Sequence, residues 1–302
     1  MGCSMPTRRE FLKLAGAFLM VSVFRNKFRV PSRGIIGYLD ADRPVADLDE
    51  SLDFIASEIG ISIVSGLPAS EISYTADVPD EAEIAYSVEV LAQVLIQYPR
   101  YFLSDHGLET ICIVKDLTSN NTVYGGALLN CAPGTVAISY SDPDIAKQSI
   151  EEEQSFGVSL HEIAHWVIPS LGDPNMLNWG WNYQAHTVNG VTYNPYQNWY
   201  PQGYTELTNI FKPEWFVGTL TQSSTMNPSE DQAEWSRIAL SPTLHSAMRR
   251  LIETAPEPDW MVYARKLSLI KDRYYQLSGG AMGDQYFADL LAGNVDRQYF
   301  YG

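Results

Sequence analysis

The stretch "SLHEIAHWVIPS", residues 159–170, places two of the chain's five histidines four positions apart with a glutamate between them. On a helix, positions i and i+4 share a face with Cβ atoms about 6 Å apart, so His161 and His165 can each offer an imidazole nitrogen to one ion. Glu162 lies about 100° further round the axis. That is off the ligand face but close to a water held by such an ion. Zinc lowers the pKa of its water to roughly 7, and a carboxylate at this place can take the proton. Apolar residues at 160, 163, 164 and 167 give the same helix a core face. The plain alternative is therefore a core helix that happens to carry two histidines.

Upstream of this segment, Asp142 can cap a helix with Pro143 in its first turn, and Pro169 stops it. Gly157 is a point of interruption, so 143–156 and 158–168 read as one helix or two. Three strand-like runs come before it: "ETICIVKDL" (109–117), "VYGGALL" (123–129) and "TVAISYS" (135–141). They are separated by "TSNN" and "NCAPG", which is turn chemistry, and turns this short imply antiparallel neighbours. Earlier still, 45–60 and 79–99 have helical spacing, the second bounded by Pro79 and Pro99. Residues 170–226 are rich in Trp, Tyr, Asn, Pro and Gly with weak periodicity, a loop-rich region beside a compact core. Helical patterns return at 227–240, 243–254 and 258–277. Helices, a small sheet, a helix, aromatic loops and more helices make an α+β arrangement.

A catalytic zinc needs a third protein ligand and an open fourth position. The extension His-x-x-Gly-x-x-His is absent, because Ile168 stands at the glycine position and Leu171 at the last histidine. His186, His106, His245 or a distant carboxylate remain. In "SEDQAEW" (229–235), a helix capped by Ser229 puts Glu230 and Glu234 four apart on one face, with Ala233 leaving room for close packing. One carboxylate can bind the ion while the other orients a ligand histidine from behind. Acidic residues in a first helical turn are also favoured by the helix dipole alone.

"HEIAH" followed 65 residues after His165 by "EDQAE" resembles the gluzincin metallopeptidases. The similarity is to the group related to the anthrax lethal factor catalytic domain and the Pro-Pro endopeptidases, and most of all to bacterial zinc-binding metallopeptidases with a Glu-Asp-x-Ala-Glu motif. It covers roughly 109–240. The resemblance implies Zn²⁺ held by His161, His165 and Glu230, Glu162 as the general base, and Glu234 behind a ligand. It implies a zincin-like fold: a small, mostly antiparallel sheet packed on the active-site helix and followed by a helical C-terminal part. It also implies that the strand before that helix, "TVAISYS", is the edge where a peptide substrate pairs. Those relatives often carry a Tyr seven residues before the ligand Glu as oxyanion donor. Ser223 stands there in this chain, and Tyr200 and Tyr204 are the nearby phenols.

The N-terminus reads separately. "TRREFLKLAGAFLMVSVF" has paired Arg8 and Arg9, then Phe11 and Leu12, then a short apolar run. It resembles the twin-arginine export signal. No small-x-small cleavage site follows, so the leader is either removed or kept as an anchor. Formal net charge is −16, and residues 1–33 carry +6 of it, leaving the body near −22. That balance disfavours nucleic acid and anionic membrane surfaces. Of three cysteines, Cys112 and Cys131 lie beyond the leader; outside the cytoplasm they form a disulfide or stay as buried thiols.

The expectation is a leader (1–33) and one zincin-like domain (34–302). In that domain 34–142 holds N-terminal helices and sheet, and 143–302 the zinc-binding, mostly helical part. The expected activity is that of an exported zinc metallopeptidase acting on peptide or protein substrates, with membrane contact only through a retained leader. The alternatives are a catalytically silent zinc-containing binding protein of the cell envelope and a non-peptidase zinc hydrolase. Substrate preference and oligomeric state are not legible.

Overall fold

In the computed structural model, residues 48–120, 122–129, 131–140, 151–167, 186–188, 191–193, 228–254 and 259–301 are described. Helix α1 (Leu48–Phe54) continues into a π-helical turn at Ile55–Ile59, followed by strands β1 (Ser62–Ser65) and β2 (Thr75–Asp77). Helices α2 (Glu81–Leu95) and α3 (Phe102–Asp105) lead to β3 (Thr110–Ser119), β4 (Thr122–Val123), β5 (Gly126–Leu128) and β6 (Thr135–Ser139). Helix α4 (Glu151–Val167) comes next, then a hairpin of β7 (His186–Val188) and β8 (Val191–Tyr193). The chain ends with α5 (Pro228–Leu240), α6 (Pro242–Thr254), α7 (Asp259–Leu277), α8 (Asp284–Ala292) and α9 (Arg297–Tyr301). The fold is mixed α and β, with a small open sheet and several helices.

The central strand is β3, whose "ICIV" run is buried on both faces, as a strand sandwiched between layers requires. Ile111 and Ile113 face the main core with Val136 and Ile138 of β6, where α4 contributes Leu160, Ile163, Ala164 and Val167. Cys112 and Val114 face the opposite way, into a smaller cluster with Tyr74, Leu117, Tyr124 and Ala137. Cys112 is thus a free, buried thiol, and burial pushes it up to about 11. The Cys112–Cys131 disulfide is not formed.

The strand order is β1-β3-β6-β5, with β2 and β4 paired to the far half of β3. β1 and β6 both run parallel to β3, and β5 runs antiparallel to β6. With β2–β3 and β3–β4 also antiparallel, three of the five pairings in this sheet are antiparallel, as expected, and the two parallel ones both involve β3. The short connection after Leu128 does reverse the chain, but β6 then inserts between β5 and β3 instead of adding outside β5. The same insertion overturns the reading of "TVAISYS" as the sheet edge. β6 is paired on both sides, all five of its residues are buried, and β5 takes the edge.

Helix α4 runs through Gly157 without a break, so of the two readings the uninterrupted helix is the one found; 143–150 lies outside the described residues. The expected helices at 227–240, 243–254 and 258–277 are found as α5, α6 and α7. Helix α2 begins with a reciprocal capping box between Asp80 and Glu83. At the C-terminus, the hydroxyls of Tyr286 and Tyr301 donate to the carbonyls of Gln97 and Tyr98, tying the last helices to the end of α2. Among the described residues, no helix is long and apolar enough to cross a membrane. The leader, Ser223, Tyr200 and Tyr204 lie outside the described residues.

Candidate metal centre

Helix α4 is amphipathic in an unusual sense, because both of its faces are buried. Leu160, Ile163, Ala164 and Val167 pack on the sheet, while His161, Glu162 and His165 are buried against α5 and β5. Helix α5 starts at Pro228, which suits a first helical turn where an N–H would have no partner anyway. Ser229 lies inside that turn, and its Oγ is 3.4 Å from His165 Nδ1. The expected capping serine therefore faces the site.

Two i, i+4 pairs on facing helices then converge. His161 Nε2 and His165 Nε2 are 3.0 Å apart, and Glu230 Oε2 is 3.3 Å from the first and 3.4 Å from the second. Three potential ligand atoms of His161, His165 and Glu230 lie within 4.8 Å of one another, all on buried residues. Behind them, Glu234 Oε1 is 2.9 Å from His161 Nδ1, and its Oε2 is 3.1 Å from Arg237 Nη2. Of the expected residues, His161, Glu162, His165, Glu230 and Glu234 are all brought together.

The other histidines are elsewhere. His106 Nδ1 is 2.6 Å from the carbonyl of Phe102, and its own carbonyl accepts from Trp166 Nε1. His245 Nδ1 donates to the carbonyl of Ala239 at 2.9 Å, in the helical layer. His186 opens the β7–β8 hairpin, paired in register with Tyr193.

Charge at the site is unbalanced. Glu162, Glu230 and Glu234 are buried around two imidazoles and one guanidinium. Burial disfavours a charged His161, but Glu234, Glu230 and Glu162 outweigh it and raise the imidazole to about 10. Burial likewise opposes a charged Glu230, yet His165 and His161 bring its carboxyl down to about 2. Burial raises the Glu162 carboxyl, with His161 and His165 holding it back. The Glu162 Oε2 atom has no hydrogen-bond partner among the described residues. A carboxyl so placed is free to exchange a proton with something that enters the site.

Two nitrogens and one carboxylate oxygen, buried, convergent and surrounded by excess negative charge, suit a divalent cation; two His and one Glu is a known catalytic zinc set. Comparisons with protein-family models, curated proteins and solved structures give no match for the chain.

Three contributors were not assigned to the site in the sequence. Gly126 on β5 lies directly against Glu162. Arg237 reaches Glu234 from one turn further along α5, a spacing that the i, i+3 rule could have flagged. Gly157 gives Arg237 space: a Cβ there would stand 3.2 Å from Arg237 Cδ.

Proposed function

We propose that the protein is an exported zinc-dependent metallopeptidase with a zincin-like catalytic core of the gluzincin kind. The observation that carries this reading is the convergence of His161, His165 and Glu230 within 4.8 Å, beside a Glu162 whose Oε2 has no hydrogen-bond partner among the described residues. Zinc, when bound, supplies Lewis acidity for a carbonyl and acidifies a water to a pKa of about 7. Glu162 accepts a proton from the attacking water and returns it to the leaving amine; burial, which raises its carboxyl, suits both halves of that task. Glu234 holds the Nδ1 side of His161, so that Nε2 is presented to the ion.

The substrate edge moves from β6 to β5. Among the described residues β5 pairs only with β6, and we assign its other side to an extended substrate chain. A peptide added there runs past Gly126, next to Glu162. Export rests on the Arg8-Arg9 leader. A second reading, a zinc-containing binding protein without catalysis, draws on Ser223, where the resembled relatives often have a tyrosine.

The test is zinc content together with cleavage of a peptide library by wild type and Glu162→Gln. About one zinc per chain in both, with cleavage by wild type alone, supports the peptidase. Stoichiometric zinc without cleavage by wild type favours the binding protein. No zinc in either sinks the metal centre.

A further inference from the structure

Helix α4 carries a glycine, Gly157, in the interior of its 17 residues. Such a glycine destabilises a helix relative to alanine. The helix neither bends out of helical geometry nor ends there. What occupies the space is the side chain of Arg237 from α5, with Cδ 3.2 Å and Nη1 3.6 Å from the position a Cβ would take. Arg237 is itself buried, at 8% exposure. Its Nη2 is 3.1 Å from Glu234 Oε2, the other oxygen of that carboxylate is 2.9 Å from His161 Nδ1, and His161 Nε2 is 3.3 Å from Glu230 Oε2. A continuous chain of contacts thus runs from the arginine to the candidate ligand atoms.

We propose that Arg237 is a positioning residue for the metal centre, seated across Gly157 so that it clamps Glu234 against His161 and fixes the imidazole that faces the ion. The proposal rests on the metal-site reading and not on peptidase activity. Glu234 alone can rotate about its side-chain torsions. Held at one oxygen by a guanidinium pinned between two helices, it presents the other oxygen in one place, and the ring of His161 follows. The guanidinium's planar fork suits this better than an ammonium would. Gly157 belongs to the device because a Cβ there would stand 3.2 Å from Arg237 Cδ, so that the arginine has to give by a few tenths of an ångström.

The experiment measures zinc affinity by competition with a chromophoric chelator for wild type, Arg237→Gln, Arg237→Lys, Gly157→Ala, Glu234→Gln and the Glu234→Gln/Arg237→Gln double variant. Thermal melts of the metal-free proteins check folding. Removing partners that orient a ligand weakens metal binding by about 10–100-fold, the loss expected for Arg237→Gln. Arg237→Lys should recover part of it. Adding Arg237→Gln to Glu234→Gln should cost at most about 2-fold more, because both act through one contact. Gly157→Ala favours the helix, so it folds even where Arg237→Gln does not, and it should still weaken binding several-fold. Wild-type affinity in Arg237→Gln, wild-type affinity in Gly157→Ala, or full additivity in the double variant would each overturn the clamp while leaving the metal centre standing. Wild type that binds no zinc would overturn the centre and the clamp together.

Discussion

Gly126 and Glu162 touch so closely that a Cβ at position 126 would stand 2.5 Å from Glu162 Cγ and 2.9 Å from its Cδ. The carbonyl of Ala137, also 2.9 Å away, blocks the strand from backing off. Even a methyl group therefore has to displace the Glu162 side chain. A displacement near 1 Å at a reacting group can cost about 10²-fold in rate. Gly126→Ala is expected to lower kcat by roughly that factor while bound zinc, measured by elemental analysis, stays at the wild-type level. Unchanged turnover would mean that the strand does not set the position of Glu162.

A zinc ion held by His161, His165 and Glu230, as proposed, would make stability depend on zinc. A ligand that binds only the folded state stabilises it by about 2.7 kcal/mol when present at 100 times its Kd. For a domain of this size that corresponds to a rise in Tm of roughly 5–10 °C. Differential scanning fluorimetry with and without zinc should reveal the rise in wild type, and a chelator should reverse it. His165→Ala and Glu230→Ala should each remove most of it. A full shift in either variant would argue that the ion binds elsewhere.

Helix α5 is also held from its other side. Asp231, next to the candidate ligand Glu230, pairs with Lys266 of α7 at 2.5 Å, with both side chains fully buried. The ammonium also lies 5.6 Å from the centroid of Trp235. Truncating one partner of a buried pair leaves an uncompensated charge, which typically costs about 3–5 kcal/mol. Lys266→Met should lose stability on that scale in urea titrations. Lys266→Met combined with Asp231→Leu should lose distinctly less. Equal losses would place the cost in packing and not in charge.

What could be read from sequence follows the range of the forces involved. The shared face of His161 and His165, and that of Glu230 and Glu234, is local to one helix each, and i, i+4 spacing determines it. The apolar stripe at 160, 163, 164 and 167 is local in the same way, and all four residues are buried. Strand order is not local. Whether β6 lies outside β5 or between β5 and β3 depends on pairing partners with similar β-branched composition, and a short turn says only that β5 and β6 are antiparallel. The roles of Gly126 and Gly157 are invisible for a related reason: each is defined by a side chain on another element. Arg237 lay closest to being found, because it is spaced to meet Glu234 on α5 itself.

The last expectation concerns acid. His245 is 2% exposed, and burial pushes its imidazole down to about 4; the Ala239 carbonyl resists this, while Lys271 and Arg249 add to it. An unfolded histidine titrates near 6.5. As pH falls through that value the unfolded chain takes up a proton that the folded chain refuses, so the folded state loses ground. The loss begins near pH 6.5 and ends near 4, where the folded histidine also becomes charged. Its size is on the order of 3 kcal/mol. Urea titrations of metal-free protein at several pH values between 7.5 and 4.5 check this against His245→Gln, whose amide can still donate to Ala239. The variant should start less stable at neutral pH and show a shallower decline across the window. Parallel declines would assign the acid sensitivity to other groups and leave His245 a spectator.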